Sequence, residues 1–291
     1  MLVALFPGQG SLKPAMGVPW LDHPAFVIVD EIASAAHMDV RSLLTTTPLE
    51  TLVRTDHAQI ATFALSLVIA KAYGIAADLA IGHSLGEYSA LAYAGILSQD
   101  DAAGLVAARG RAMLAAAEET QGSMVAVLGA DESTIQSAII DLDTVVIANQ
   151  NAPGQIVLAG SIEQLALLKE QARDRGLRKV MQLDVGGAFH SPLMGTAQRG
   201  LEEALASATF SDGSMQVIAN IDATAHAGGD HWRDLLSRQL TGTVRFSDSV
   251  SALGSDARFV ELGAGGVLAG LVRRITPDAV VSAVSIPEDL S

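Results

Sequence analysis

The pattern that most constrains this chain is a serine held between two glycines, at the point where a strand-like run meets a helix-like run. Residues 80–92 read A-I-G-H-S-L-G-E-Y-S-A-L-A, and Ser84 occupies the centre of a G-x-S-x-G frame. Gly82 and Gly86 permit a sharp strand-to-helix turn, which exposes the Ser84 hydroxyl beside the first N–H groups of the helix. The five letters alone also occur in ordinary glycine-rich turns, but the flanking strand and helix favour a nucleophile elbow.

Composition and charge exclude several classes of protein. The chain has 291 residues, of which 49% are hydrophobic, and this is enough for a large buried core. No apolar run reaches the roughly eighteen residues of a membrane span, and the first residues lack the basic segment of a signal peptide. The net charge of -14 argues against a nucleic-acid partner. Because cysteine is absent, we expect a cytoplasmic protein without disulfide or thiol chemistry.

The order of apolar runs predicts two interleaved units. In the first 120 residues, short strand-like runs at Leu2–Phe6 and Leu79–Gly82 alternate with longer helical patterns, as is typical of an α/β domain with a parallel sheet. From Ser123 to Val185 the order becomes βαββαβ, the ferredoxin-like split unit, and afterwards the larger pattern resumes. We therefore predict a large α/β-hydrolase-like domain formed by residues 1–122 and 187–291. A small ferredoxin-like subdomain of residues 123–186 is inserted into it.

A serine hydroxyl is a weak nucleophile unless a base lies within hydrogen-bond reach. His190 is the best candidate, because it lies in the small-residue loop G-G-A-F-H-S-P that follows the last strand of the predicted small unit. Taken alone, His190 would be interpreted as a cap of the following helix. His83 should point away from the nucleophile by strand alternation and hold the elbow. The seven histidines show no zinc-site spacing, so we predict no metal site.

Three further segments bear on the site. Arg109 lies in an apolar, alanine-rich helical pattern, where composition does not distinguish a functional guanidinium from a surface ion pair. P-G-Q-G-S at residues 7–11 follows the first predicted strand and would place backbone N–H groups beside the elbow as oxyanion donors. The glycine-rich run at 259–270 resembles a dinucleotide-binding loop, but its third glycine position is occupied by Leu268, so we interpret it as a tight loop.

Several separated motifs converge on one family. In chain order they are F-P-G-Q-G-S at 6–11, A-Q-I-A-T at 58–62, G-H-S-L-G-E-Y-S-A at 82–90, V-A-A-R-G at 106–110, N-Q-N-A-P-G-Q-I-V-L-A-G at 149–160, G-A-F-H-S at 187–191 and V-R-F at 244–246. Together they resemble the malonyl-CoA:acyl carrier protein transacylases, within the acyltransferase family of fatty-acid and polyketide synthesis. Each motif is weak, but their order and spacing over nearly the whole chain are specific.

The resemblance implies a role for each matching residue. Ser84 would take the acyl group, His190 would act as base, and Arg109 would bind the malonyl carboxylate with both prongs of its guanidinium. A backbone carbonyl near the V-R-F segment would orient the histidine. The backbone N–H groups of Gln9 and Leu85 would form the oxyanion hole. The other implied substrate-binding residues are Gln59, Phe189, Asn151 and Arg245, and the implied carrier-docking residues are Arg178, Lys179, Arg273 and Arg274.

The implied reaction is a ping-pong transfer of malonyl from malonyl-CoA, through an acyl-serine, to an acyl carrier protein in fatty-acid biosynthesis. Malonyl-CoA is then a substrate and no cofactor is bound; we expect a monomer that binds neither nucleic acid nor membrane. The same residues would serve a discrete acyltransferase of a polyketide synthase or a malonate decarboxylase. An α/β serine hydrolase is a further alternative, in which Asp184 would orient His190 and Arg109 would have no role.

Overall fold

The computed structural model of the protein describes residues 1–290. The strands within this range form two separate sheets. They are β1 (Leu2–Phe6), β2 (Leu79–Gly82), β3 (Gly122–Leu128), β4 (Val146–Ala152), β5 (Gln155–Ser161), β6 (Lys179–Gln182), β7 (Gln216–Ile218), β8 (Ala225–His226), β9 (Arg258–Leu262) and β10 (Val280–Val284).

Helices cover both sheets and supply most of the large core. They are α1 (Ile28–Ala36), α2 (Val40–Thr45), α3 (Leu49–Leu52), α4 (Thr55–Tyr73), α5 (Gly86–Tyr93), α6 (Gln99–Glu119), α7 (Glu132–Ala138), α8 (Ile162–Glu170), α9 (Gly195–Ser207), α10 (Trp232–Gln239), α11 (Phe246–Ser251) and α12 (Val267–Ile275). Short 3-10 turns lie at Gln9–Ser11, Val18–Trp20, Pro24–Val27, Pro192–Met194 and Pro287–Leu290.

The larger sheet has the strand order β10-β9-β1-β2-β7-β8, and its pairs are parallel except for the edge pair of β7 and β8. Strand β2 is buried along its whole length and β1 along all but its first residue, since helices cover both faces of the sheet. Each strand is therefore a short apolar run in the sequence, and the predicted ranges Leu2–Phe6 and Leu79–Gly82 are confirmed. The predicted α/β class with a parallel sheet is confirmed as well.

The smaller sheet is antiparallel, with the order β4-β5-β3-β6. Its elements follow the chain as β3, α7, β4, β5, α8 and β6, which is the predicted βαββαβ order. Helices α7 and α8 bury one face of this sheet, while residues such as Met124 and Val157 on the other face join the core of the large unit. The division of the chain at residues 123 and 186 stays a prediction.

Elements with a weaker sequence signal were not predicted. Strand β10 is an edge strand in which Val284 is buried and the other residues are exposed or half-buried. Helices α9 and α10 are strongly amphipathic but lie in polar sequence that carries no obvious start signal. No helix within residues 1–290 combines the length and apolar character that a bilayer crossing requires.

Candidate active site

The nucleophile elbow is present between β2 and α5. Ser84 has the left-handed backbone conformation, with φ of +54°, directly after the strand. A Cβ atom on Gly82 would lie 2.0 Å from the Glu87 nitrogen, and one on Gly86 would lie 1.9 Å from the Phe6 carbonyl oxygen. Only glycine fits such close backbone approaches, so the two glycines bring α5 against the strand ends and hold Ser84 on a strained turn.

His190 reaches the Ser84 hydroxyl from a position 106 residues later in the chain. Ser84 Oγ donates to His190 Nε2 at 2.7 Å, and His190 Nδ1 donates to the Gln239 carbonyl oxygen at 2.8 Å. The carbonyl accepts only, so it holds the ring in the tautomer that leaves Nε2 free to take a proton. The alternative interpretation of His190 as a cap of the next helix is wrong, because the Ser191 side chain caps the 3-10 turn that follows.

The environment keeps His190 neutral. The side chain is almost fully buried, and burial together with the Arg109 guanidinium lowers the pKa of His190 to about 3. A histidine buried beside a cation is disfavoured in its charged form. The ring therefore presents an unprotonated Nε2 at neutral pH, and it can gain a proton as negative charge develops on the reacting group.

Arg109 lies on α6 and is 1% exposed. Its Nη1 donates to Gln59 Oε1 at 2.5 Å, and its Nη2 donates to Gln239 Oε1 at 2.9 Å and to Ser84 Oγ at 3.1 Å. The interpretation of Arg109 as part of a surface ion pair, which composition had left open, is therefore wrong. Burial lowers the pKa of Arg109. A buried cation that hydrogen-bonds to two amides and a hydroxyl, all neutral, favours an anionic ligand beside the nucleophile.

Two backbone N–H groups flank the nucleophile turn without a protein acceptor. Gln9 begins the 3-10 turn that follows β1, and Leu85 precedes the first residue of α5. Among residues 1–290, the hydrogen bonds of the two turns leave the N–H of Gln9 and of Leu85 unpaired. These are the positions that an oxyanion hole at this elbow requires.

The nucleophile opens into a cavity between the two sheets. One end is formed by the loop after β1, by Ser84 and by His190, and the apolar wall comes from the small sheet, the segment after β6, α6 and α12. His83 Nε2 donates to Asn151 Oδ1 at 2.8 Å, and no hydrogen bond joins His83 to Ser84 among the described residues. His83 thus ties the elbow to β4, in keeping with its predicted role. The apolar wall comprises Met113, Met124, Val157, Leu183, Val185, Phe189, Val267, Leu268 and Leu271.

Three residues of the site were missed by the sequence analysis. Asn220, just after β7, accepts from the Ser84 N–H and donates to the Gly82 carbonyl, both at 2.7 Å. Gln239 contributes its side chain as well as the carbonyl that holds His190. Glu87, fully buried on α5, joins the other two. Only Glu87 carried a signal, because it is the one charged residue of α5.

Some predicted residues lie apart from this group. Arg245 directly precedes α11, pairs with Asp248, is partly exposed and does not line the cavity. Asp184 is exposed and makes no hydrogen bond to His190, whose Nδ1 is taken by Gln239. The four predicted docking residues are exposed on the surface. Within residues 1–290, no three His, Asp or Glu side chains are grouped as metal ligands.

The 259–270 run is a tight loop, as predicted. Residues 263–266 connect β9 to α12, and the Glu261 carboxylate accepts from the Ala269 N–H at 2.7 Å. A buried carboxylate therefore occupies the first turn of this helix, the place where a dinucleotide fingerprint would hold a pyrophosphate.

Comparisons with known proteins agree with this geometry. The family model for the acyl transferase domain matches residues 3–287. The malonyl CoA-acyl carrier protein transacylase of Bacillus subtilis is 35% identical, over 98% of this chain and 94% of its own length. The crystal structure of the malonyl-CoA:acyl carrier protein transacylase from Xanthomonas oryzae pv. oryzae is 35% identical, with a TM-score of 0.93 over 99% of this chain and 95% of that one.

A complex is also among the similar structures. It contains a type II PKS acyl-carrier protein bound to its malonyl-transacylase, with 30% identity and a TM-score of 0.93 over 99% of this chain and 97% of that one. The matches extend over nearly the full length on both sides. The chain belongs to the acyl transferase domain family.

Proposed function

We propose that the chain transfers a malonyl group from malonyl-CoA to the phosphopantetheine thiol of an acyl carrier protein. One observation carries the proposal: the Ser84 oxygen lies 2.7 Å from His190 Nε2 and 3.1 Å from Arg109 Nη2. The base activates this oxygen for attack, and the guanidinium selects an acyl group that ends in a carboxylate. The malonyl transacylases similar to this chain support the same activity.

The first half-reaction forms an ester on Ser84. His190 Nε2 takes the hydroxyl proton as Ser84 Oγ attacks the thioester carbonyl carbon of malonyl-CoA. The tetrahedral intermediate then collapses, the carbon–sulfur bond breaks, and the coenzyme A sulfur leaves with the proton from His190. Because the Gln239 carbonyl holds Nδ1, the ring keeps one orientation while Nε2 takes up and returns the proton.

The negative charge on the oxygen of the tetrahedral intermediate is stabilised by hydrogen bonds from the backbone N–H groups of Gln9 and Leu85. Both belong to rigid turns, so they need no reorganisation during the reaction. The carboxylate carbon of a malonyl ester is three bonds from the Ser84 oxygen, close enough to meet a guanidinium that already contacts this oxygen. Gln59 and Gln239 hold the two ends of the guanidinium and so define its plane.

The second half-reaction repeats the chemistry with a different nucleophile. The carrier's thiol gives its proton to His190 and attacks the ester carbonyl of malonyl-Ser84. Collapse of the intermediate returns the proton to Ser84 Oγ and releases the malonyl thioester. The same base and oxyanion donors serve both steps, as a ping-pong mechanism requires.

A serine hydrolase fits the site less well. An acidic residue orients the histidine in the α/β hydrolase arrangement, whereas a backbone carbonyl does so here and Asp184 lies on the surface. Arg109 would also be a buried cation without purpose in a simple esterase. A p-nitrophenyl ester assay beside a malonyl-CoA assay separates the two functions.

Intact-protein and peptide mass spectrometry tests the proposal directly. The protein is mixed with malonyl-CoA and digested, and we expect a malonyl adduct on the peptide that contains Ser84. An adduct confined to another residue, or none at all, would contradict the proposal. We place the activity in fatty-acid biosynthesis; transfer within a polyketide synthase or a malonate decarboxylase uses the same residues. The cytoplasmic location, the monomeric state and the absence of a bound cofactor stay predictions.

We propose that the carrier protein docks across one end of the small sheet. Arg274 Nη1 donates to Gln155 Oε1 at 2.6 Å, and Gln155 lines the cavity. Gln155 pairs with Leu128, which in turn pairs with Lys179, so Lys179 lies two strand spacings away, or ~10 Å. Arg273 points elsewhere, since it donates to the Val281 carbonyl.

The chain around Lys179 is locally basic. A shallow groove there has four basic side chains, Lys169, Arg173, Arg178 and Lys179, against the acidic Glu170 and Asp174. Acyl carrier proteins are strongly acidic, and a chain of net charge -14 needs a local positive surface to receive one. The groove and Arg274 together supply that surface beside the cavity mouth.

Charge reversal tests the docking surface. The double variant R178E/K179E and the single variant R274E should raise the KM for the carrier protein and flatten its salt dependence, while self-malonylation by malonyl-CoA stays near the wild-type rate. Lys71→Glu, at an exposed lysine near the end of α4, is the matched control and should change neither. Equal loss in both half-reactions would exclude these residues as a docking surface.

A further inference from the structure

Glu87 is a buried carboxylate that the reaction steps do not use. It is the second residue of α5 and is 1% exposed, three positions after the nucleophile. Burial raises the pKa of Glu87 to about 8, against the two N–H donors that hydrogen-bond to it and the nearby Arg109, which act to lower it. A buried carboxylate lowers the stability of the fold unless both of its oxygens accept hydrogen bonds.

One carboxylate oxygen supports the nucleophile turn. Glu87 Oε1 accepts from the Asn220 backbone N–H at 2.6 Å. The Asn220 side chain in turn bridges the turn, because it accepts from the Ser84 N–H and donates to the Gly82 carbonyl. The donor here is a backbone group that has no freedom to rotate away.

The other oxygen supports the Gln239 side chain. Glu87 Oε2 accepts from Gln239 Nε2 at 2.5 Å, and the same nitrogen donates to the Ser84 carbonyl at 2.9 Å. This fixes which way the amide points. Gln239 Oε1 therefore faces Arg109 Nη2, from which it accepts at 2.9 Å.

An amide at position 87 cannot replace the carboxylate. Once it is ionised, above its pKa of about 8, Glu87 accepts from N–H donors at both oxygens, whereas glutamine offers one oxygen and one NH2 group. The backbone N–H of Asn220 would donate to the oxygen of the new glutamine, and the NH2 group of that glutamine would then face Gln239 Nε2. Two donors repel, so the Gln239 amide would rotate and turn its own NH2 group toward the Arg109 guanidinium.

We propose that Glu87 is the positioning residue of the malonyl site, which orients Arg109 through the amide of Gln239. The proposal rests on the proposed malonyl transfer. Glu87 touches neither the nucleophile oxygen nor the space for the acyl group. Its hydrogen bond to Gln239 Nε2 leaves Gln239 Oε1 facing Arg109. This contact holds the guanidinium in the plane in which it can bind the malonyl carboxylate.

The test compares two acyl groups in one variant. Self-acylation rates of wild type and Glu87→Gln are measured with malonyl-CoA and with acetyl-CoA by intact-protein mass spectrometry, at about pH 9, where Glu87 is ionised. Because the variant leaves a buried polar group unpaired, we expect the malonyl rate of Glu87→Gln to fall about 5- to 150-fold. The acetyl rate should fall much less, because acetyl has no carboxylate for Arg109. The ratio of the two rates does not depend on the fraction of protein that is folded.

Two further variants separate positioning from a general structural role. Glu261→Gln makes the same change at the other fully buried glutamate, outside this network, and should keep the wild-type malonyl-to-acetyl ratio. Gln239→Met removes the amide but not the carbonyl that holds His190, and should reproduce the shift in ratio. The double variant E87Q/Q239M should lose little more than either single variant, because both act through the same contact.

The outcomes distinguish this inference from the function on which it rests. If wild type forms no malonyl adduct, the proposed function fails. If wild type is malonylated but Glu87→Gln slows both acyl groups equally, or keeps the wild-type ratio, the positioning role is wrong. Additive losses in the double variant would also overturn it, because they would mean that Glu87 and Gln239 act separately.

Discussion

Replacing Arg109 is the sharpest test of why this site takes a malonyl group. The guanidinium contacts the Ser84 oxygen and is held in plane by Gln59 and Gln239. Arg109→Lys keeps the charge but offers a single point donor in place of a planar fork. A hydrogen bond to a charged group contributes about 1.5–3 kcal/mol, so we expect kcat/KM for malonyl-CoA to fall roughly 10- to 150-fold.

Arg109→Ala should have a larger effect, because it removes the whole ion pair. Truncation of a buried charge partner costs about 2–5 kcal/mol, which corresponds to a loss of roughly 30- to 5,000-fold for malonyl-CoA. Acetyl-CoA makes no such contact, so the preference should shift toward acetyl. The alanine also leaves the Gln59 and Gln239 oxygens unpaired, at about 1–3 kcal/mol each, and thermal unfolding should show some loss of stability.

The assay is initial-rate transfer from each thioester under one set of conditions. Arg111→Ala is the matched control, since Arg111 is an exposed arginine two positions along the same helix. It should leave both rates and their ratio unchanged. If the malonyl-to-acetyl ratio of Arg109→Ala equals that of wild type, Arg109 does not bind the substrate carboxylate, and the selectivity argument fails.

Three other predictions concern the catalytic pair. Ser84→Ala should abolish the malonyl adduct without changing the unfolding temperature by more than a few degrees, since it removes one hydroxyl and creates no core cavity; mass spectrometry and thermal unfolding check this. His190→Ala should slow both half-reactions about 10²- to 10⁴-fold in single-turnover measurements, and a loss in only one of them would be inconsistent with a shared base. Because the folded pKa of His190 is about 3, its protonation should cause no fall in self-malonylation near pH 6.5.

The same shift of the His190 pKa has a consequence for stability. The unfolded chain binds the proton at about pH 6.5, whereas the folded state resists it down to about pH 3. The contribution of His190 is therefore lost as the pH falls through this window, by at most about 1.4 kcal/mol per pH unit. Urea unfolding of wild type and His190→Ala between pH 7 and pH 5 measures it, and identical slopes would mean that His190 is not held neutral.

Local chemistry was readable from the sequence. The G-x-S-x-G frame needs only neighbouring residues to make its turn, and β1 and β2 are short runs buried on both faces, so their ranges could be predicted. The βαββαβ order also follows from local patterns of apolar residues. The resemblance of the separated motifs to one family pointed to Ser84, His190 and Arg109. In the structure, His190 and Arg109 both hydrogen-bond to Ser84 Oγ.

The contacts that hold this group depended on the tertiary structure. Asn220 and Gln239 lie 136 and 155 residues after Ser84, in segments whose local sequence carries no signal for a site. Arg245, by contrast, lies in a matching motif but points toward Asp248. A hydrogen bond depends on where folding brings two side chains, and packing of α5, α6 and α10 around the strand ends decides that. By itself the sequence indicated which groups are candidates for the chemistry, while the fold decided which neutral amides and which buried carboxylate contact them.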